Sequence, residues 1–370
     1  MGQGDGWEGV ENEESRAEAA FQGVPGCGWS TEREELVRHL SSGERVFYCG
    51  FDPTARSLHL GNLLSIMGLL HAALDGHYAV ALIGGATGHV GDPSGRNSER
   101  DPLSSDALFE NAISIDLSLQ TIFQNASDMA KETDAERPEL CDHLKLVNNV
   151  AWYERMSVLD FMVKVGKHAR MHTMLGKDSV KSRLAQPEGM SYAEFSYQLF
   201  QGWDFVELNQ RYLCTIQLGG SDQWGNMLAG IELLRKCQDV QGHAITLPLM
   251  TTAAGVKFGK SMGNAIWLNE DMTSPYQLYQ FLFNTDDADC AKLLRALTFL
   301  PLDHINNIVA DHTAAPEKRE AQRVLAEQVL RLVHGNEGLE RAQNVTKVLH
   351  SGGSLAQLDE GDLLAVGIVP

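Results

Sequence analysis

Between residues 46 and 88 the sequence alternates between short apolar runs and glycine-rich turns. The apolar runs are 46–50 and 79–83, and the second run leads into Gly84-Gly85-Ala86-Thr87-Gly88. The segment between the runs has helical character from about residue 60 to residue 74. Short apolar runs bounded by glycine are typical of strands that are buried on both faces of a parallel sheet. The order strand, helix, strand therefore predicts an α/β fold with crossover helices.

The rest of the chain extends this pattern and then departs from it. Residues 105–133 have the periodicity of an amphipathic helix, and the runs 144–147 and 215–218 predict two further strands. After about residue 250 the pattern is helical, at 275–283, 288–297 and 316–333. The predicted divisions are a flexible acidic leader over 1–29, a Rossmann-like parallel-sheet domain over 30–250 with a basic helical insertion at about 150–215, a loop and smaller all-α domain over 251–350, and a tail over 351–370.

Composition restricts the class of protein. The chain has 370 residues, enough for two or three compact units with a substantial core. No apolar run approaches the roughly 20 residues that cross a bilayer, so no membrane partner is expected. The net charge of -19 disfavours general coating of nucleic acid, and an RNA partner would have to meet a local basic patch. The six cysteines lack zinc-site spacing and are expected to be free thiols.

The first thirty residues show neither of the common targeting signals. They contain six acidic side chains and a single basic one, Arg16. A transit peptide is normally basic and poor in acids, and a secretory signal has an apolar centre. This segment therefore does not indicate the compartment.

Three further segments carry polar residues that suit a nucleotide-dependent enzyme. His59-Leu60-Gly61-Asn62 opens a predicted helix, and helix N-termini attract phosphate. Lys257-Phe258-Gly259-Lys260-Ser261 places two ammonium groups around a glycine, which suits charge stabilisation of a leaving pyrophosphate. Gly219-Gly220-Ser221-Asp222-Gln223 follows a predicted strand, where open α/β sheets hold their ligands. In that segment Asp222 can accept from a ribose hydroxyl and Gln223 can bond a small polar ligand.

Each segment also has a simpler explanation. A lone histidine at a helix start is usually a capping or surface residue, two lysines around a glycine usually form a solvated turn, and a Gly-Gly-Ser-Asp stretch is often a tight loop. These alternatives stay open for each motif taken alone. The occurrence of all three in one chain favours the catalytic interpretation.

Taken together, the motifs resemble those of the class I tyrosyl-tRNA synthetases of the bacterial and organellar type. The His59 segment is similar to the first adenylate motif of that family, and the Lys257 segment to the second. The other similar segments, in chain order, are 48–54, 84–88, 91–96, 195–197 and 219–226. The similarity runs from about residue 29 to about residue 351, and an ordered series of this length is specific.

The resemblance implies a tyrosine–tRNA ligase, which forms tyrosyl-adenylate from L-tyrosine and ATP and then charges tRNA(Tyr). It implies that Tyr48 and Asp204 hydrogen-bond the substrate phenol, so that phenylalanine would leave buried groups unpaired. Tyrosyl enzymes are themselves the usual worked example of that penalty. The tyrosine-binding residues implied in this way are Tyr48, Thr87, Asp92, Tyr197, Gln201, Asp204 and Gln223, with Asp92, Tyr197 and Gln201 on the ammonium group.

The same resemblance implies an ATP site. Gln223 would face the reacting carboxylate, and His59 and Thr54 would bind phosphate. The adenosine and ribose would contact Gly50, Asp52, Gly61, Asn62, Gly220 and Asp222, and the pyrophosphate would contact Arg96, Arg100, Lys257, Lys260 and Ser261. Magnesium would arrive with ATP, and no metal would be held by the protein itself. Catalysis would come from orientation and charge stabilisation without a covalent enzyme intermediate.

The sequence departs from the family pattern in two places. Asn62 stands where the first motif commonly ends in histidine, and because asparagine can still donate to a ribose oxygen, we expect a modest change in ATP binding. The family normally continues into a small C-terminal RNA-binding module, whereas this sequence ends at Pro370. Adenylate formation is expected to survive without that module.

A basic stretch is the region where the macromolecular partners are expected to bind. Its positive side chains are Lys164, Lys167, Arg170, Lys177, Lys181 and Arg183. The resemblance implies that this region forms a homodimer interface and passes the acceptor stem of the tRNA, while a solvated helix face is the alternative. Residues 187–191 look organellar, which implies the mitochondrial matrix, with the cytoplasm as the alternative.

Two rival functions remain at this point. The first is an RNA-binding relative that has lost catalysis, and the intact His59, Lys260 and Asp92 disfavour it. The second is another enzyme with the same first motif, such as a tryptophanyl-tRNA synthetase or a small nucleotidylyltransferase. The pair Tyr48 and Asp204 favours a phenol over an indole.

Overall fold

The computed structural model describes residues 28–29, 33–96, 98–99, 101–135, 139–252, 260–261, 264–351, 358 and 363. The chain divides into two compact units. The first unit comprises Met1–Arg56, Gly68–Asp116 and Asp142–Leu249, and the second comprises Ser57–Met67, Leu117–Cys141 and Met250–Pro370. The domain boundary near residue 250 stays a prediction, because the second unit also takes in two earlier segments.

The first unit is built on a six-stranded sheet in the order β1-β6-β5-β2-β3-β4. Its strands are β1 Gly28–Trp29, β2 Val46–Phe51, β3 Tyr78–Ile83, β4 Leu144–Asn148, β5 Cys214–Gly220 and β6 His243–Leu247. Strands β2 to β6 run parallel to one another, which confirms the predicted parallel sheet. Gly28 and Trp29, which the sequence assigned to the leader, instead pair antiparallel with β6 and cover its edge.

The winding of this sheet reverses at β2. From β2 the chain adds β3 and β4 on one side, and later adds β5 and β6 on the other side. In open α/β sheets, ligands bind at the carboxyl ends of the strands where the winding reverses. Asp52 follows β2 and Asp222 follows β5, so both lie at this position.

Burial on both faces explains the apolar runs of the central strands. Ala79, Val80, Ala81, Leu82 and Ile83 of β3 are all buried. Complete burial of a valine, leucine or isoleucine side chain contributes about 1.5–3 kcal/mol. A polar residue in β3 would lose that contribution and leave unpaired groups inside the sheet.

Among the described residues, ten α-helices begin in the first unit or cross into it. They are α1 Arg33–Ser41, α2 Leu60–Leu74, α3 Thr87–Val90, α4 Ser105–Thr133, α5 Val150–Tyr153, α6 Val158–Lys164, α7 Met171–Leu175, α8 Asp178–Leu184, α9 Tyr192–Tyr212 and α10 Trp224–Gln238. Both α2 and α4 also contribute residues to the second unit. The helical stretch expected over 158–184 consists of three short α-helices, with a 3-10 helix at Gly166–His168 between the first two and Gly176 between the last two. Arg183, which the sequence placed on a basic surface, is buried in an ion pair with Glu194.

The second unit is mainly helical where it is described. It contains the short hairpin β7 Lys260–Ser261 and β8 Asn264–Ala265, followed by α11 Pro275–Phe283, α12 Asp287–Leu297, α13 Leu302–Ala314 and α14 Glu320–Ser351. Helix α14 breaks at Gly335, which has φ 70 and ψ -175, a conformation that glycine adopts easily. None of the helices in the described ranges is long and apolar enough to cross a membrane.

Candidate active site

The most deeply buried part of the site surrounds the carboxylate of Asp204 on α9. Asp204 is 2% exposed. Trp152 Nε1 donates to its Oδ1 at 2.9 Å, and Asn149 Nδ2 donates to its Oδ2 at 3.1 Å. Burial raises the pKa of Asp204 to about 8, although the hydrogen bonds from Asn149 and Trp152 oppose this increase. The carboxylate is therefore fixed in orientation before any ligand arrives.

Tyr48 on β2 presents a second polar group to the same region. The residue is 1% exposed, and its ring lies 5.1 Å from that of Phe205. Within the described part of the chain its hydroxyl has no hydrogen-bond partner. Burial, together with the nearby Cys214 and Asp204, raises the pKa of the Tyr48 phenol well above its usual value. A buried tyrosine hydroxyl normally has a partner, so this one is a candidate ligand-binding group.

Asp52 organises the carboxyl ends of β2 and β3. Thr87 Oγ1 donates to Asp52 Oδ1 at 2.7 Å, and Tyr197 Oη donates to Asp52 Oδ2 at 2.7 Å. Asn149 Nδ2 also donates to Thr87 Oγ1 at 3.0 Å, which joins this group to Asp204. A Cβ atom at Gly84 would lie 1.9 Å from Asp52 Oδ1, so the glycine-rich turn is required by this contact.

Asp92 forms a second acidic centre beside β5. Gln223 Nε2 donates to Asp92 Oδ2 at 2.6 Å, and Asn226 Nδ2 donates to Oδ1 at 3.2 Å. The Ser94 N–H also donates to Oδ1, at 3.0 Å. In the described ranges, the donors to Asp92 and Asp204 are all uncharged. Asp92, a carboxylate with no cationic partner among the described residues, is suited to attract a ligand with an ammonium group.

Gln201 completes the face that α9 turns toward these groups. Tyr197, Gln201 and Asp204 are spaced by four and then three residues, which places them on one side of the helix. The Oε1 atom of Gln201 has no hydrogen-bond partner among the described residues. Helix α9 therefore carries three of the predicted tyrosine-binding residues in register.

The candidates for the ATP side that belong to the first unit flank the same strand ends. Gly50 lies in β2 and Gly220 ends β5. The Thr54 N–H donates to the Asp52 carbonyl at 2.8 Å. Asp222 lies against Gly95, whose Cβ position would be 3.2 Å from Asp222 Oδ2. Arg96 is exposed and directly follows that turn.

The other phosphate-side candidates lie in the second unit or outside the described residues. The His59 N–H donates to Asn62 Oδ1 at 3.0 Å, so Asn62 caps the start of α2, and Gly61 lies in its first turn. Lys260 and Ser261 form β7. Lys257 and Arg100 lie outside the described residues. The phosphate-binding roles of all these residues stay predictions.

Known proteins identify the family. Residues 41–351 match the family model for tRNA synthetases class I (W and Y). The mitochondrial tyrosine–tRNA ligase of Drosophila melanogaster is 45% identical over 336 residues, which are 90% of this chain and 72% of that protein. The tyrosine–tRNA ligase of Lactococcus lactis subsp. cremoris is 46% identical over 337 residues, or 90% and 77% of the two chains. The chain belongs to the class I tyrosyl-tRNA synthetases.

A solved structure supports the same assignment for the fold. The C-terminally truncated mitochondrial tyrosyl-tRNA synthetase of Aspergillus nidulans has a TM-score of 0.81 and 30% identity, over 92% of this chain and 99% of that chain. The predicted Rossmann-like sheet with a helical part after it is therefore confirmed for this synthetase.

Sequence reasoning missed three residues that hold the polar groups of this synthetase in place. They are Asn149, Trp152 and Asn226, which orient Asp204 and Asp92. A signal for Asn149 was present, because Asn148 and Asn149 directly follow an apolar run at the carboxyl end of a strand. Trp152 carried no comparable signal, since a tryptophan near a strand end is usually a core residue.

Proposed function

We propose that this chain is a tyrosine–tRNA ligase. It activates L-tyrosine with ATP to give tyrosyl-adenylate and pyrophosphate, and then transfers the tyrosyl group to the 3′ end of tRNA(Tyr). The observation that supports this proposal most directly is the buried pair of the Tyr48 hydroxyl and the Asp204 carboxylate. These are polar groups placed inside an aromatic and aliphatic cluster, where a substrate hydroxyl would satisfy both.

The proposed tyrosine pocket assigns one role to each end of the substrate. The phenol hydroxyl accepts from Tyr48 and donates to Asp204. The ammonium group lies among Asp92, Tyr197 and Gln201, and the neutral surroundings of Asp92 favour this charge. Thr87 fixes Asp52 at the side of the pocket. Gln223, which bonds Asp92, faces the reacting carboxylate.

The proposed ATP site consists of the residues that the resemblance to the family implies. Gly50, Gly220 and Gly61 let the nucleotide approach the backbone, while Asp52, Asp222 and Asn62 bond ribose or adenosine. Thr54 and His59 bind phosphate. The pyrophosphate is bound by the cationic or hydroxyl side chains of Arg96, Arg100, Lys257, Lys260 and Ser261. Magnesium accompanies ATP, and the residues that the structure describes include no group of three or more potential ligands that could hold a metal.

In the proposed reaction, a carboxylate oxygen of tyrosine attacks the α-phosphorus of ATP. The bond from that phosphorus to the bridging oxygen breaks, and pyrophosphate leaves with the electron pair. Negative charge grows on the leaving group, so lysines and arginines that reach it only in the transition state lower the barrier. The enzyme contributes orientation and charge, and forms no covalent bond to the substrate.

Pyrophosphate exchange with each aromatic amino acid tests the proposal. Exchange of labelled pyrophosphate into ATP should depend on tyrosine, with phenylalanine and tryptophan far weaker. Exchange driven by tryptophan would support a tryptophanyl enzyme instead. No exchange with any amino acid would support an RNA-binding protein that lacks catalysis.

Lys260→Ala tests the pyrophosphate clamp. Loss of a charge that acts only in the transition state should slow adenylate formation by about a hundredfold or more, with tyrosine binding nearly unchanged. Single-turnover kinetics and tyrosine titration measure the two quantities. The control is Lys318→Ala, which removes the charge of an exposed lysine in the same unit. Equal losses in rate and tyrosine binding for Lys260→Ala would contradict the clamp.

The proposal includes a homodimer that places tRNA beside the basic insertion. Four apolar residues of α6 are exposed, namely Val158, Leu159, Met162 and Val163. Such a patch on a short helix is typical of a subunit interface. Exposed cations near it are Lys164, Lys167, Arg170 and Lys181. Sedimentation velocity of Leu159→Asp should show a shift toward monomer, and a monomeric wild type would contradict the interface.

We propose the mitochondrial matrix as the compartment. Support comes from the mitochondrial synthetases of Drosophila melanogaster and Aspergillus nidulans, while the bacterial relative is equally similar in sequence. The alternative is the cytoplasm. Import of the full chain into isolated mitochondria, followed by protease treatment, would distinguish these two locations.

A further inference from the structure

Residues 92–96 form the turn that carries Arg96, and its first residue, Asp92, is held by residues of the proposed amino-acid site. Gln223 and Asn226 hold Asp92, and the Arg96 N–H donates to the Pro93 carbonyl at 3.3 Å. Gly95 has φ +68 and lies against Asp222. A side chain at Gly95 would be strained, so the chain direction entering Arg96 is constrained.

The segment that follows this turn is held by Glu99, three residues after Arg96. The hydroxyl of Ser191 donates to Glu99 Oε1 at 2.9 Å. Ser191 is the N-cap of α9, and its Oγ also accepts the N–H of Glu194 at 3.2 Å. One hydroxyl proton and one lone pair are enough for these two bonds, so Ser191 makes both at once.

Ser191 is itself fixed by a buried ion pair. Glu194 Oε2 accepts from the Ser191 N–H at 3.3 Å and from Arg183 Nη2 at 2.8 Å, while its Oε1 accepts from Arg183 Nε at 3.1 Å. Arg183 is 1% exposed and Glu194 is 4% exposed. The hydrogen bonds that Arg183 donates to Glu194 raise the pKa of the Arg183 guanidinium. A bidentate ion pair of this kind has a well-defined geometry. It fixes the position of Ser191, and so of the hydroxyl that bonds Glu99.

The anchored helix is the one that holds the amino acid in the proposed function. Tyr197, Gln201 and Asp204 follow Ser191 along α9. On the other side of the bond, Glu99 follows Arg96 by three residues and directly precedes Arg100. The bond between Ser191 and Glu99 thus joins the segment proposed to bind pyrophosphate to the helix proposed to bind tyrosine.

We propose that Glu99 is a positioning residue, which sets the Arg96 turn relative to α9 so that its guanidinium meets the leaving pyrophosphate. The inference rests on the proposed function and adds to it a residue that touches no substrate. Placement errors of this kind reduce the rate of the chemical step more than they reduce the ground-state binding of tyrosine.

Glu99→Ala tests this role in the forward and reverse reactions. The variant should slow adenylate formation about fivefold and raise the KM for pyrophosphate by a similar factor, the size expected for one exposed hydrogen bond to a charged group. The KM for tyrosine should stay within about twofold, because the pocket on α9 is intact. Glu99→Gln, which keeps the accepting oxygen, should restore most of the rate. Asp101→Ala, at an exposed acid of the same segment, is the control and should behave as wild type.

The remaining outcomes separate the two proposals. If wild type lacks tyrosine-dependent exchange, the proposed function and this inference both fail. If wild type is active and Glu99→Ala matches Asp101→Ala, the inference alone fails. A parallel rise in the KM for tyrosine would mean a general disturbance of α9 and would also overturn it. In a double-mutant cycle with Ser191→Ala, the expected result is that the second substitution adds little to the first.

Discussion

The polar groups at the two edges of the parallel sheet differ in their hydrogen-bond partners. At the carboxyl edge, Asp204 and Asp92 accept from neutral donors, and Tyr48 has a hydroxyl with no partner in the described part of the chain. At the amino edge, histidines stand where strands begin: His77 before β3, His143 before β4 and His243 at the start of β6. His39 of α1 packs on His243, with ring centroids 4.6 Å apart.

The histidines of the amino edge have their partners inside the protein. His39 Nε2 and Thr215 Oγ1 are 2.9 Å apart, and His143 Nδ1 and the His77 carbonyl oxygen are 3.0 Å apart. The Arg45 N–H donates to His77 Nδ1 at 3.3 Å. Burial lowers the pKa of His39 to about 4 and also lowers the pKa values of His77 and His243.

Both edges therefore contain titratable groups whose pKa is shifted by burial. They differ in that the carboxyl edge keeps polar atoms ready for a ligand, while the amino edge pairs its rings with neighbouring groups. A shifted pKa by itself does not identify a functional site. An unpaired buried polar atom beside a fixed carboxylate is the more specific sign.

The largest expected effect is that of Asp204→Ala at the carboxyl edge. The substitution removes the acceptor for the substrate phenol and leaves Trp152 and Asn149 without their partner. Discrimination between tyrosine and phenylalanine, measured as the ratio of kcat/KM in pyrophosphate exchange, should fall by about a hundredfold, the equivalent of 2–3 kcal/mol. Unchanged selectivity would mean that the pocket is misassigned.

Glu207→Ala provides the control for that experiment. Glu207 lies on the same helix, but its carboxylate pairs with Arg211 four residues along. Removal of this pair should leave the selectivity as it is in wild type. A loss of selectivity in both variants would indicate a disturbed helix rather than a lost substrate contact.

Tyr48→Phe has a smaller effect that separates function from stability. Its hydroxyl has no partner in the described part, so its removal should leave the melting temperature unchanged or slightly higher. The KM for tyrosine should rise about fivefold to tenfold through loss of one hydrogen bond.

Tyr153→Phe is the matched comparison for Tyr48→Phe. The Tyr153 hydroxyl donates to the Phe200 carbonyl at 2.7 Å. Its removal should lower the unfolding free energy by about 1 kcal/mol. If Tyr48→Phe is destabilised as much as Tyr153→Phe, then the Tyr48 hydroxyl is bonded within the protein and is not a substrate group.

Sequence predicted the strands of this fold well because the sheet is buried on both faces. The runs 46–50 and 79–83 correspond to β2 Val46–Phe51 and β3 Tyr78–Ile83. Helix α9 lies within the helical insertion predicted over about 150–215, but its bounds were not predicted, because buried polar residues such as Gln198, Asp204 and Asn209 interrupt its apolar pattern. Asp204 belongs to the proposed pocket, whereas Gln198 and Asn209 donate to backbone carbonyls, so both the site and local structure interrupt the pattern.

The residues of the candidate site could be predicted where they belong to motifs that resemble those of the family. Tyr48, Asp92 and Asp204 came from the resemblance, and the structure adds the donors that orient them. Trp152 could not be assigned from sequence, since its role depends on its Nε1 meeting the Asp204 carboxylate, 52 residues further along the chain. Spatial neighbours from distant parts of the chain leave no local pattern.

The smallest expected effect concerns the amino edge and its pH dependence. Above about pH 6.5, the ordinary pKa of His39, its ring is neutral in both the folded and the unfolded chain. Below that pH the unfolded chain binds a proton that the folded chain excludes until about pH 4. The unfolding free energy should therefore fall as the pH drops through this window. Because the ring is half-exposed, we expect a loss of about 1 kcal/mol or less.

His39→Gln tests this assignment, because glutamine can still bond Thr215 but does not titrate. Nearby charges act in both directions, since Arg45 disfavours the protonated rings while Glu35 favours protonation of His243 and Glu44 that of His77. Urea unfolding between pH 7 and pH 4.5 should give a shallower pH slope for His39→Gln than for wild type, with tyrosine activation unchanged at pH 7. The control is exposed His89→Gln, which should keep the wild-type slope. A shift in tyrosine KM caused by His39→Gln would mean that the two edges are coupled, and the contrast between them would fail.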